Sequence, residues 1–188
     1  MNRLHTPRLL LRTWEAQDAR DFWELHHDPR VTEFLPGRPT LAQAEAFIRS
    51  QQELHARSGA CYFAATLAAT GELAGFVGLK RHEAQRERGL PFAPCTDIGW
   101  RLAARHWGQG YAGEAARACL DFGFTQLGLD EIVAFTVPAN LRSRALMEKL
   151  GMREDLGGAF AHPALPAEHP LSRHVLYRLR RSEAAAGA

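Results

Sequence analysis

Residues 97–116 read DIGWRLAARHWGQGYAGEAA: a strand-like run ending near Leu102, a short polar link, a cluster of glycines and then a helix-forming stretch. Gly108, Gln109 and Gly110 stand where the helix begins. Glycine lets backbone N–H groups approach an anion closely, and a new helix adds unsatisfied donors and the positive end of its dipole. The stretch therefore has the chemistry of a phosphate cradle, although two glycines at a strand-to-helix turn also serve a purely conformational need. Gly108, Gly110 and Gly113 satisfy the GxGxxG spacing of dinucleotide-binding proteins as well. The context opposes that reading. Residues 103–107 separate the strand from the first glycine, and the acids Asp130 and Glu131 precede the next strand instead of ending it. The GK[ST] ending of a nucleoside-triphosphate loop is missing too.

The rest of the chain bounds what this segment can belong to. With 188 residues, 46% hydrophobic and 23% charged, it is long enough for one core to bury most of its surface without a metal or disulfide. Cys61, Cys95 and Cys119 are odd in number and form no CxxC pair, which fits small core residues in a reducing compartment. No apolar run reaches the roughly 18 residues of a membrane span, and the first residues have no signal-type pattern, so a cytoplasmic location is expected. A net charge of +2, with both signs well mixed, gives no nucleic-acid surface. His162, His169 and His174 lack the close spacing of a zinc site, and no metal is expected.

The patterning predicts strands over residues 8–14, 62–68, 73–80, 96–103, 131–137, 152–156 and 174–179, and helices over 18–27, 40–58, 110–127 and 140–150. Thr40 with Gln43 has capping-box spacing, Gly59 and Gly151 end helices, and Asn140 caps one. Residues 81–94 read as a loop. The fold class is α/β (α+β): one domain over residues 1–181, with a mixed, mostly antiparallel sheet of seven strands and four flanking helices, followed by a flexible tail over 182–188.

Arg105-x-x-Gly108-x-Gly110 after Asp97-Ile98-Gly99-Trp100-Arg101-Leu102 resembles the acetyl-CoA pyrophosphate motif of the GNAT N-acetyltransferase superfamily. Asn140-Leu141-Arg142-Ser143, continuing to Glu148-Lys149-Leu150-Gly151-Met152, is similar to that superfamily's second cofactor motif. The opening Thr6-Pro7-Arg8-Leu9-Leu10-Leu11-Arg12 resembles the RimJ/RimL-like branch, which acetylates ribosomal-protein N-termini. The resemblance implies a central splay in the sheet that admits the pantetheine arm. Backbone groups of Trp100, Arg101 and Leu102 would bond its amides, and Arg105, Gly108, Gln109, Gly110 and Tyr111 would wrap the pyrophosphate. It also implies acetyl-CoA as donor and an amine as acceptor, in a monomer or homodimer.

Asn140 and Ser143 would contact the cofactor near its sulfur, with Ser143 assisting the departing thiolate, and Asn140 and Ser143 also suit a helix cap. Met147 occupies the position where many family members carry a tyrosine, so the proton donor is Ser143 or water, and a non-catalytic acyl-CoA-binding domain stays open as an alternative. Asp97 is the leading choice to accept the amine's proton through water, with Glu154, a histidine or water itself as the other choices. His26 and His27 stand where the acceptor cleft often lies in this superfamily, and adjacent histidines near a helix end also serve as caps. The acceptor is a protein N-terminus or a small amine. An α-amino group, with pKa about 7.7 to 8, needs less help from a base than a lysine-type amine near 10.4.

Overall fold

A computed structural model describes residues 3–83 and 89–186. In chain order the elements are β1 (Arg3–His5), β2 (Leu9–Arg12), α1 (Asp18–Leu25), α2 (Pro29–Thr32), α3 (Leu41–Ser58), β3 (Tyr62–Leu67), β4 (Leu73–His82) and β5 (Cys95–Leu102). A 3₁₀ turn (Ala104–His106) leads to α4 (Tyr111–Thr125), β6 (Glu131–Thr136), α5 (Leu141–Lys149), β7 (Arg153–Ala161), β8 (Arg173–Arg180) and α6 (Arg181–Ala186). The strands form one sheet in the order β1-β2-β3-β4-β5-β6-β8-β7, antiparallel in the β1–β2, β2–β3, β3–β4, β6–β8 and β7–β8 pairs and parallel in β5–β6. Contacts divide the chain into two compact units, Met1–Lys80 with Gly99–Cys119, and Arg81–Ile98 with Leu120–Ala188.

In the first unit, α1 and α3 lay apolar faces on β3 and β4. Trp14, Phe22, Ile48, Ala64 and Phe76 are buried together, with Phe22 stacked on Phe47 at 4.7 Å. Thr40 and Gln43 close the expected capping box, and Gly59 ends α3 at φ 70°. Two sites of the sheet admit no side chain: a Cβ on Gly75 would lie 2.1 Å from the Arg101 carbonyl oxygen, and one on Gly78 2.1 Å from that of Cys61. Asp18 is buried and accepts two hydrogen bonds at 2.7 Å from Arg12, a bidentate pair that compensates both desolvated charges.

The second unit is built on the antiparallel β6–β8–β7 group, with Ile132, Val133, Leu176 and Leu179 buried. Arg178 on β8 bridges Glu131 at 2.7 Å and Asp155 at 2.8 Å. The β7–β8 register shifts between Asp155 and Phe160, so β7 runs well past the expected end at residue 156.

Several of these expectations change. An eighth strand, β1, pairs with β2; at three residues it is too short to show a period. Two short helices, α2 and α6, join the four expected, α2 capped by the Asp28 side chain behind Pro29. Residues 181–186 form the short helix α6. Glu183 accepts from the Arg180 N–H at 3.1 Å, and the Arg181 side chain donates to the Leu129 carbonyl at 2.7 Å. Residues 187–188 lie outside the described residues. The expected loop begins later than residue 81, because β4 continues through His82; residues 84–88 lie outside the described residues.

His26 is a core residue and not an exposed cap. It is 1% exposed, its Nδ1–H donates to the Phe22 carbonyl at 2.6 Å, and its Nε2 accepts from Arg101 at 2.9 Å. A second ring proton would face a guanidinium. Burial first, and then the Arg101 charge, lowers the His26 pKa from 6.5 to about 4. A lowered folded pKa means the unfolded chain binds the proton first as the pH falls, so His26 favours folding above its unfolded pKa and loses that contribution between pH 6.5 and 4. The loss should reach about 3 kcal/mol by pH 4. Denaturant unfolding of the native protein and His26→Gln across this window should show a shallower decline for the variant; equal slopes would remove His26 as the cause.

Candidate functional site

In the first unit the chain leaves β5 through Ala103, whose N–H donates to the Ala74 carbonyl at 2.8 Å. The Trp107 indole N–H holds the Leu102 carbonyl at 2.8 Å, and the Gln109 side-chain amide holds that of Arg105 at 2.9 Å. Gly108 and Gly110 take φ values of 74° and 83°, a region that L side chains avoid. The first bond of α4 runs from Glu114 N–H to the Gly110 carbonyl, so the N–H groups of Tyr111, Ala112 and Gly113 lie ahead of the helical ladder. A Cβ on Gly108 meets nothing within 4 Å. An exposed loop with converging, unladdered donors at the start of a four-turn helix fits an anionic ligand.

Two arginines stand at this loop. Arg105 is exposed, and its guanidinium pairs with Glu72 at 2.7 Å. That pairing, chiefly its hydrogen bond, holds the Glu72 carboxyl below its ordinary pKa. The second arginine is Arg8, which the sequence placed only in a strand motif. It donates to the Gln109 carbonyl at 2.9 Å, pairs with Glu114 at 2.6 Å and lies 4.6 Å over the Tyr111 ring. Thr6 also donates to Glu114, at 2.6 Å. Burial pushes the Glu114 carboxyl up, but the bonds from Thr6 and Arg8 outweigh it and hold the group ionised below the usual range. The opening motif thus latches the β1–β2 turn onto the first turn of α4.

Of the strand residues before the loop, Leu102 is buried and Trp100 and Arg101 are half-buried. The Arg101 guanidinium bonds His26 and lies 5.3 Å over the Phe76 ring, so this side chain serves the core, with burial lowering its pKa to about 10.

In the second unit Asp97 is 3% exposed, not a solvated strand end, and its Oδ1 is 2.7 Å from Nε2 of His82. His82 was hidden in the expected loop; the signal that reveals it is the alternation of Lys80 and His82 at the end of β4. Asp97 also sits at the β5–β6 register pair, opposite Val133. The Asn140 side chain caps α5 by accepting from the Ser143 N–H at 3.2 Å and donates to Thr136 at 3.1 Å. The Ser143 side chain is half-buried, and its hydroxyl has no hydrogen-bond partner among the described residues. Met147 is buried in the core. Glu154 is engaged by Arg144 at 3.1 Å and by Tyr177 at 3.3 Å. His27 is exposed, against Trp23.

The acetyltransferase (GNAT) domain family matches residues 8–153. The chain belongs to this family. A Bacillus licheniformis protein named as an uncharacterized N-acetyltransferase, p20, is 31% identical over 157 residues, covering 82% of this chain and 84% of its own. The crystal structure of an acetyltransferase from Agrobacterium tumefaciens superposes with a TM-score of 0.75 at 27% identity, covering 96% of this chain and 95% of the other. A ribosomal-protein-S5-alanine acetyltransferase from Vibrio fischeri shares the fold, with a TM-score of 0.75 at 20% identity and coverage of 97% and 98%.

This GNAT chain is accordingly an acyltransferase whose donor is acetyl-CoA. Among the described residues no three His, Cys, Asp or Glu side chains are grouped to hold a metal ion, and no helix is long and apolar enough to cross a membrane. Gly110→Val tests the glycine loop as the GNAT anion site, since a Cβ there would also come 3.4 Å from Arg8. Calorimetric titration should show acetyl-CoA affinity reduced by at least about tenfold. Gly128→Ala, with comparable backbone strain at φ 68° outside the loop, is expected to keep native affinity. Equal losses in both variants would count against the loop.

Proposed function

We propose that the chain acetylates a primary amine by direct attack on acetyl-CoA, with His82 taking the amine's proton and Asp97 holding the imidazole. The observation that carries this reading is the hydrogen bond between buried Asp97 and His82. A carboxylate only accepts, so Nε2–H of His82 donates to Asp97, and Nδ1 has no partner among the described residues. That is the base arrangement in which a carboxylate selects the tautomer and steadies the imidazolium.

The need for a base follows from the acceptor. At pH 7 an amine of pKa about 10.4 is neutral in roughly one molecule in 2,500. In the proposed step the amine nitrogen bonds to the thioester carbonyl carbon, the carbon–sulfur bond breaks, and His82 Nδ1 receives the proton that the nitrogen loses. The Ser143 hydroxyl donates a hydrogen bond to the departing thiolate. With a thiol pKa of about 8.5, that sulfur is a leaving group without full protonation. Solvent returns the ring to neutrality.

Loop donors of Gly108, Gln109, Gly110 and Tyr111, with Arg105 and Arg8 beside them, hold the pyrophosphate in this reading, and Asn140 shapes the turn ahead of Ser143. Backbone groups of Trp100, Arg101 and Leu102, which continue β5 past the Asp97–Val133 pair, bond the pantetheine amides and polarise the carbonyl. Direct transfer is supported by the cysteines. Burial pushes Cys61 and Cys95 up to about 12 and Cys119 higher, so the thiols stay protonated and unreactive.

The opening motif on its own would point to a protein N-terminal α-amine; a small primary amine is the alternative, and it is the one for which a base is most needed. The polar side chains of that motif bond Glu114 and Asp18 in the structure, which accounts for them structurally. With an acceptor that turns over, His82→Ala and Asp97→Asn should each lower kcat by about 10² to 10⁴ while the KM for acetyl-CoA stays within about threefold. Unchanged kcat in both variants would remove the pair from the mechanism.

A further inference from the structure

Five rings of the second unit gather around a sixth, that of Phe135 on β6. Phe92, Phe160, His82, His162 and His174 all have centroids within 5.6 to 6.4 Å of it. Phe160 on β7 and His174 on β8 are cross-strand partners with rings 5.5 Å apart, and Phe92 meets Phe160 edge-on at 5.0 Å. The buried phenylalanines of this chain, such as Phe63 at 1% and Phe122 at 4% exposed, are fully packed. All six rings of this cluster, by contrast, are partly exposed. Three phenylalanines and three histidines that share one cluster, each of them only half-buried and one bonded to a buried carboxylate, form a mixed aromatic surface that the packing of the core does not require.

We infer that this cluster is the acceptor-recognition site, and that it takes a primary amine carried on an aromatic or similarly flat apolar group. The inference rests on the acetyl-transfer reading, because it is His82, the proposed base, that joins the rings to the chemistry. Edge-to-face and offset contacts are the geometry in which a further ring is held, and the rings already adopt them: Phe92 with Phe160 at 83° and Phe135 with Phe160 at 80°.

Among the described residues, the charges around the cluster disfavour a polycation. Arg178 lies 5.8 Å over Phe92 and holds both nearby acids, Glu131 and Asp155, while Asp97 is bonded to His82. A second ammonium group would find rings and a guanidinium there, with each of these carboxylates already engaged. His174 donates from Nδ1 to the Ser172 carbonyl at 3.0 Å, and burial lowers its pKa, so the imidazole at this wall is neutral at pH 7 and adds no charge. His162 Nδ1 accepts from the Ala164 N–H at 3.2 Å, which orients that ring as a further wall.

The test compares acetyl-CoA turnover with 2-phenylethylamine, ethylamine, spermidine and a peptide with a free N-terminus. Binding of 2-phenylethylamine is followed separately by ligand-detected NMR with CoA present, and binding of acetyl-CoA by thermal shift. The expected result is a kcat/KM for 2-phenylethylamine at least about tenfold above those of ethylamine and spermidine, the scale of burying one ring in place of leaving it in water. Phe160→Leu and Phe92→Leu, conservative changes at an edge strand and a loop, should each shrink the 2-phenylethylamine to ethylamine ratio several-fold and weaken the NMR signal. Preference for spermidine or the peptide, or a ratio unmoved by both variants, overturns the inference and leaves acetyl transfer standing. Failure of acetyl-CoA to stabilise the protein overturns the acetyl-transfer reading instead, and the NMR measurement still decides the ring site: no binding of 2-phenylethylamine sinks it whatever the turnover.

Discussion

A carboxylate that is 3% exposed is stable in its charged form only when hydrogen-bonded, and at Asp97 that requirement brings in His82. Much of the second unit follows from this need. β4 has to run through His82 to deliver the ring, and Asp97 has to stand on β5 opposite Val133, where the parallel pair with β6 is made. Phe135 lies two residues beyond Val133, on the same face of β6 by the period of a strand, and so the ring cluster forms beside the same histidine. The Asp97–His82 bond thereby ties the end of β4 to the start of β5, next to the β5–β6 pair.

The glycine loop shows the same economy with a different balance. Its two arginines are each engaged by a carboxylate, Arg8 with Glu114 and Arg105 with Glu72, so the loop presents directed donors and not a bare positive patch. Surface pairs of this kind contribute little to stability. Their effect is positional: Glu114 receives bonds from both Thr6 and Arg8, which ties the first turn of α4 to the turn ahead of β2.

Where local chemistry decides the structure, the sequence was readable. Thr40 and Gln43, Gly59, Asn140, and the pair Gly108 and Gly110 each occur where short-range hydrogen bonds or positive φ values call for them, and the structure has the corresponding caps and turns. Elements held by distant partners were not readable. β1 has three residues and exists through pairing with β2, and α6 is held by Arg181 on the Leu129 carbonyl. The same limit applied to the site. Asp97 stood out for its place on the strand, but its partner lies 15 residues earlier in sequence, in a stretch too polar to read as strand. Arg8 is separated from Glu114 by 106 residues, and the aromatic group draws on five segments of chain that no period connects.

Chemical rescue of His82→Ala with added imidazole bears most directly on the role given to the Asp97–His82 pair. The small base would enter the space left by the missing ring and accept the amine's proton. Acetyl transfer by the variant should rise with imidazole concentration and saturate, while Asp97→Asn, which keeps its own ring, should respond little. A His82→Ala enzyme as active as the native one, or one whose lost activity imidazole does not restore at any pH between 6 and 9, would contradict the account.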